Sequence, residues 1–282
     1  MVKSVRILEA GYCVHPEAMV LPGASFSNGR FPSSVAVIEH AREGIILFDT
    51  GYSSDFDRVT AGFPESLYRM TVPVTISEET TARSKLGALG ISVADVRHVV
   101  LSHLHADHSG GVRDFTKAEL HLDMDAQTYY ENLSRFNQVR NGYLAALMPD
   151  DLKSRFRPLG ESAFQSGNFG LGPLTRGRDL FGDGSVVAIP LPGHMLGHIG
   201  LLVQTESGDR SFFVGDAAWR TESIEKNRLP SLLTRLLIKD WKAYARTLSD
   251  LHSLHLAHPE LKIIPCHCEE HIGKTGSETG VA

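Results

Sequence analysis

The chain has 282 residues, 42% of them hydrophobic, which is enough for a large core and excludes a disordered chain. Its formal net charge of −5 argues against nucleic acid as the main partner, since phosphate binding needs a basic face. The three cysteines, Cys13, Cys266 and Cys268, make no disulfide framework. The first residues carry no secretory apolar region, and no apolar stretch reaches spanning length. The expectation is a soluble, reduced, cytoplasmic protein with no membrane partner, folded as one domain over residues 1–282.

In chain order, residues 3–9 alternate enough to read as a strand. Residues 10–32, rich in Gly, Pro, Ser and Asn, read as a long loop. Residues 34–40 and 44–48 form a predicted hairpin around Ala41-Arg42-Glu43. Its second arm ends at Asp49. A carboxylate at the end of a buried strand is costly unless it is bonded. We expect it to orient the histidine-rich loop further along the chain. A simple turn aspartate ahead of Gly51 is the plainer alternative. Residues 52–79 hold aromatics but no period, the pattern of a lid or pocket wall. Residues 80–89 read as a short helix stopped by Gly90. Residues 92–95 lead into the β-branched run Val99-Val100-Leu101.

That run feeds His103-Leu104-His105-Ala106-Asp107-His108, then Ser109-Gly110-Gly111. Three imidazoles and a carboxylate within six positions suit zinc or a similar borderline ion. On an extended or sharply turning segment His103 and His105 point the same way and can clamp one ion. Gly110 and Gly111 should allow a tight bend that turns Asp107 and His108 toward a second ion.

Residues 120–122 read as a short strand, and 125–147 as one or two helices stopped by Pro149. The aromatics Phe156, Phe164, Phe169 and Phe181 suit local packing and a substrate pocket equally well. A strand over 185–191 ends at Pro192-Gly193-His194. Residues 199–205 and 211–215 form a hairpin that ends at Asp216. Asp240 caps a helix with an apolar face through Trp241, Tyr244, Leu248, Leu251 and Leu254. His252, His255 and His258 on or beyond it read as surface residues. A strand over 261–265 presents His267. Cys266 and Cys268 flank that histidine and, by alternation, should point away from the metal as small buried hydrophobes. A short Gly/Ser/Thr-rich tail follows, and no repeat or linker divides the chain.

Five of these motifs, in this order, resemble the metallo-β-lactamase superfamily. They are the Asp49-Thr50-Gly51 turn, the His103–His108 cluster, Pro192-Gly193-His194-Met195-Leu196-Gly197-His198, Gly215-Asp216, and Cys266-His267 after an apolar strand. The resemblance implies an α/β fold, a four-layer αβ/βα sandwich with two mixed sheets face to face, helices outside, and the metal site at one edge. It implies two zinc ions, other divalent metals being possible. His103, His105 and His194 would take the first, Asp107, His108 and His267 the second, and Asp216 would bridge both. His198 would support this shell. The reaction implied is attack of a shared hydroxide on an electrophilic carbonyl or phosphorus, with Asp107 passing a proton to the leaving group.

Within the superfamily the chain is similar to the N-acyl-homoserine lactone lactonase, or quorum-quenching, group. Ala10-Gly11-Tyr12-Cys13, the irregular stretch up to Phe31-Pro32, and Phe48-Asp49-Thr50-Gly51 carry that similarity. The substrate implied is a small lactone or ester; phosphotriesters, thioesters and aryl esters are the alternatives. The group has a tyrosine three residues after the bridging aspartate, where this chain has Trp219. The indole N–H of Trp219 is therefore expected to donate to the substrate carbonyl. Met19, Phe63, Tyr68, Met70 and the phenylalanines between 156 and 181 are expected to form an apolar rim for an acyl tail. The sequence sets no oligomeric state.

Overall fold

The computed structural model describes residues 1–273, and the tail from residue 274 onward lies outside them. Seven strands build the first sheet: β1 (Val2–Pro16), β2 (Asn28–His40), β3 (Gly44–Phe48), β4 (Val74–Thr75), β5 (Val96–Val100), β6 (Glu119–Leu122) and β7 (Phe156–Pro158). Six build the second: β8 (Gln165–Ser166), β9 (Arg176–Asp179), β10 (Val186–Pro190), β11 (Ile199–Gln204), β12 (Arg210–Gly215) and β13 (Lys262–Pro265). The orders are β4-β1-β2-β3-β5-β6-β7 and β13-β12-β11-β10-β9-β8. Both sheets mix parallel and antiparallel pairs, as β3 with β5 and β2 with β3 show.

The near-continuous apolar runs of the central strands follow from burial on both faces. Ile38, Ile46, Phe48 and Val100 of the first sheet meet Ala188, Leu201, Phe213 and Ile264 of the second. One residue along, Val37, Leu47 and Val99 face outward onto Leu86 and Tyr130. Val187, Ile189 and Phe212 face outward onto Leu248, Leu251 and Leu254 of the helix Trp241–Ala257. Asp240 caps that helix, accepting from the N–H groups of Lys242 and Ala243. The layers are thus helix, sheet, sheet, helix, as the sequence implied. Among the described residues no helix is long and apolar enough to cross a membrane.

The long loop expected over residues 10–32 is a correction. β1 continues to Pro16, one helical turn (Glu17–Val20) reverses the chain, and β2 begins at Asn28. Gly11 sits at φ 82° where the β1–β2 register shifts between Glu9 and Tyr12. A bulge of this kind admits glycine within a strand and hides the alternation. The hairpin of β2 and β3, the helix Ala82–Ala88 and the two helices Met124–Glu131 and Arg135–Arg140 lie where the sequence put them.

Direction decides where function falls. β12 and β13 are parallel, and β10 and β12 both run antiparallel to the strand between them. Asp49 follows β3, His103 follows β5, His194 follows β10, Asp216 follows β12 and His267 follows β13. All five leave strand ends at one edge of the sandwich.

Candidate metal centre

The histidine loop converges on two points. His103 Nε2 stands 3.0 Å from His105 Nδ1, and His194 Nε2 stands 3.0 Å from the same His105 atom. These three side chains and Asp216 form one compact donor group. His108 and His267 form the core of a second, again with Asp216. The two oxygens of Asp216 divide between them. Oδ2 lies 3.2 Å from His194 Nε2 and 4.0 Å from His103 Nε2. Oδ1 lies 3.3 Å from His108 Nε2 and 3.1 Å from His267 Nε2. Asp107 Oδ2 is 3.6 Å from His108 Nε2 and 3.5 Å from His267 Nε2. All seven residues expected as ligands therefore meet in one place.

His108 and His267 are oriented from behind. Asp49 is buried at φ 63° and accepts from the Ser102 N–H at 2.7 Å and the Ser102 hydroxyl at 2.8 Å. Its Oδ2 also takes the His108 Nδ1–H at 2.7 Å. That bond leaves the Nε2 lone pair of His108 free for a ligand role. His267 Nδ1–H donates to the Pro32 carbonyl at 2.7 Å with the same result. His198 spends both nitrogens on support: Nδ1–H donates to the Leu191 carbonyl, and Nε2 accepts the Asp216 N–H at 3.1 Å. Ser102 and the Pro32 carbonyl were not singled out from the sequence. Position beside His103 was the one available signal for Ser102; Phe31-Pro32 was marked only by the lactonase similarity, not as a partner of His267.

Burial favours the neutral form of His103 and His105, as a metal ligand requires, whereas at His108 and His267 burial is outweighed by Cys266 and Asp216, which push both rings up. Burial pushes the His105 imidazole down to about 3, with His194 adding to the shift. Burial likewise drives His103 well down, helped by His108 and His105. Burial pushes the Asp49 carboxyl up, against the opposing pull of His108 and Ser102.

The donor set fits divalent metal. Two ligands about 2.0–2.1 Å from a tetrahedral ion stand roughly 3.3 Å apart, and the nitrogen–oxygen separations here cluster around that value. His108 Nε2, His194 Nδ1 and Asp216 Oδ1 are buried without a hydrogen-bond partner. Orphaned buried polar atoms are costly, and for His108 and Asp216 an ion at the second point removes that cost.

Three expectations change. Gly110 and Gly111 do not bend the chain: residues 106–109 form a helical turn, and the glycines follow at φ −57° and −83°. They serve close approach instead, since a Cβ on Gly111 would lie 2.7 Å from the Thr50 carbonyl oxygen. Trp219 does not hold its N–H free for a substrate; it donates to Asp216 Oδ2 at 3.0 Å. Cys266 does not point away: its sulfur lies within 4.8 Å of the His108, Asp216 and His267 donor atoms.

A cavity of roughly 360 Å³ opens onto this centre. His105, Asp107, His194, Asp216, Trp219 and His267 lie at its metal end. Met19, Phe31, Leu67, Tyr68, Phe136 and Val139 supply apolar wall. Met19 and Tyr68 are thus where they were expected. Phe63 and Met70 are 70% and 75% exposed and lie outside it. Phe164 and Phe181 join the core between the sheets, Phe169 packs on the outer core of the second sheet, and Phe156 packs on that of the first, so these aromatics are packing. His252 bonds the Ile224 carbonyl at 2.8 Å, and His255 and His258 also lie away from the centre.

Residues 28–257 match the family model described as Metallo-beta-lactamase superfamily, and the chain belongs to that family. It is a metallo-hydrolase of that fold. A probable metallo-hydrolase of Mycobacterium tuberculosis is 29% identical over 236 residues, 80% of this chain and 71% of that one. The N-acyl homoserine lactonase AttM of Rhizobium johnstonii is 32% identical over 146 residues, 52% of this chain and 50% of AttM. That match therefore covers about half the length of the lactonase. A solved N-acyl homoserine lactone hydrolase, with N-hexanoyl-L-homoserine bound at its catalytic metal center, superposes with a TM-score of 0.72 at 20% identity. That superposition covers 96% of this chain and 95% of the other.

Proposed function

We propose that this chain is a two-metal, zinc-type hydrolase that opens a lactone bearing an apolar acyl tail. The observation that carries the reading is the division of Asp216: one oxygen faces His103 and His194, the other His108 and His267. Seven convergent donors exceed the four that one tetrahedral ion takes. Bound there, two divalent ions would acidify water to a nucleophile near neutral pH and polarise a carbonyl.

The chain's own residues do the rest. His103, His105 and His194 would hold one ion, His108, His267 and Asp107 the other, with Asp216 shared. Asp107 lines the cavity, and its backbone carbonyl accepts the Ser33 hydroxyl, which fixes the turn that carries it. Its carboxylate would accept the proton released by the attacking water and return it to the leaving alkoxide. Trp219 acts as a positioning residue, holding Asp216 in the rotamer that splits its oxygens. The apolar wall receives the tail and gains about 25 cal/mol per Å² covered. The similarity to lactonases supports the substrate class. The solution setting we infer is cytoplasmic, with a small-molecule substrate.

The test is a turnover screen of zinc-loaded protein against acyl lactones, thioesters, aryl esters and phosphotriesters. Lactones should give the highest kcat/KM. Phosphotriester turnover without lactone turnover would overturn the substrate and favour the phosphotriesterase alternative.

A further inference from the structure

We propose that Cys266 is a sulfur ligand of the ion held by His108, Asp216 and His267. This rests on the two-metal reading above. It assigns that centre a donor beyond the seven read from the sequence.

The geometry comes from the end of β13. The strand stops at Pro265, and Cys266 and His267 lie in a turn. Strand alternation ends with it, so two successive side chains can face the same point. Both residues are pinned from their backbones or from behind. The Cys266 carbonyl accepts the Ser34 hydroxyl, the Cys266 N–H donates to the Gly215 carbonyl at 3.4 Å, and His267 Nδ1–H donates to Pro32. The result is a set of four buried donors, Cys266 Sγ, His108, Asp216 and His267, all within 4.8 Å of one another. Two members of that set, His108 Nε2 and Asp216 Oδ1, make no hydrogen bond and are sealed from solvent.

One sulfur, two nitrogens and the carboxylate oxygens of Asp107 and Asp216 make a five-donor set, and zinc takes five ligands as well as four. Thiolate selects zinc, cobalt or cadmium over magnesium and manganese, so the two points would differ in metal preference. Binding breaks the S–H bond, forms the sulfur–metal bond and releases the thiol proton to solvent. The other cysteines have different surroundings. Cys13 lines the cavity but belongs to neither donor group. Cys268 accepts the Thr221 N–H at 3.1 Å, away from the centre.

Cobalt(II) tests this without reference to activity. Metal-free protein is loaded with two equivalents of cobalt, and the near-ultraviolet spectrum is read for a sulfur-to-cobalt charge-transfer band. Metal uptake and proton release are measured on the same samples. Wild type, Cys13→Ser and Cys268→Ser should bind two ions and show the band. Cys266→Ser and Cys266→Ala should lose the band, release one proton fewer, and hold the second ion roughly tenfold more weakly or worse. Two bound cobalt ions with no band in wild type would overturn the assignment and leave the two-metal reading intact. A band that survives Cys266→Ser would overturn it equally. One bound ion with a Cys266-dependent band would overturn the two-metal reading and keep the sulfur ligand. One ion without a band would overturn both. The wild-type spectrum decides the presence of sulfur even where a variant fails to fold.

Discussion

The indole N–H of Trp219 donates to Oδ2 of Asp216 at 3.0 Å, both side chains being buried. A hydrogen bond to a buried carboxylate contributes about 1.5–3 kcal/mol. Trp219→Phe keeps the bulk and removes the donor, freeing Asp216 to rotate. Turnover should fall about tenfold or more on every substrate class alike, with weaker metal retention during dialysis. A loss confined to lactones would mean instead that the indole acts on the substrate carbonyl.

Asp49 controls the neighbouring ring. It takes three hydrogen bonds, one from His108 Nδ1. Asp49→Asn loses the acceptor that fixes the His108 tautomer. We expect about a 10–100-fold loss in affinity for one of the two ions, read by metal titration with a competing chelator. Unchanged affinity for both ions would remove Asp49 from the support of the centre.

The tail pocket is tested at its rim. Phe136 is 52% exposed yet lines the cavity, so its truncation spares the fold. Phe136→Ala uncovers some tens of Å² of a bound tail, about 1 kcal/mol. Long-tailed lactones should lose roughly fivefold in kcat/KM, and short-tailed ones should be unaffected. Equal losses for both would place the tail elsewhere.

Far from the centre, His98 on β5 and His121 on β6 face each other, Nδ1 to Nε2, at 3.1 Å. Burial pushes His121 down to about 3 and lowers His98 as well. Below about pH 6.5 the unfolded chain therefore binds protons that the folded chain refuses, and stability is lost as pH falls toward 3. Each histidine adds up to about 1.4 kcal/mol per pH unit. Urea melts of metal-free protein between pH 7 and pH 4.5 should show a shallower pH slope for His121→Asn than for wild type. Parallel slopes would refute the assignment.

The convergence of the seven candidate ligands was legible because few residue types bind such ions, the spacing of His103, His105, Asp107 and His108 is specific, and the family resemblance supplied His194, Asp216 and His267. The layered fold was legible through the resemblance that five ordered motifs carry, and the apolar runs of the central strands agree with it. Partners set by tertiary distance were not. The donor in Trp219 could be named from its chemistry, but Asp216 as its acceptor required the turn after β12. Cys266 was misplaced because alternation was extended one residue past the end of β13. Leu67 was missed, and Met70 misplaced, because the helix Ser66–Thr71 is too short to show a period. The bulge at Gly11 concealed the length of β1 in the same way.

The central claim is that Asp216 joins two ions in one chain. The direct measurement is metal content after zinc loading and removal of excess, on wild type and on Asp216→Ala. Wild type should hold two zinc ions per chain, and a folded Asp216→Ala fewer than two with no turnover. One ion or none in wild type, or two ions and near-normal turnover without Asp216, would contradict it.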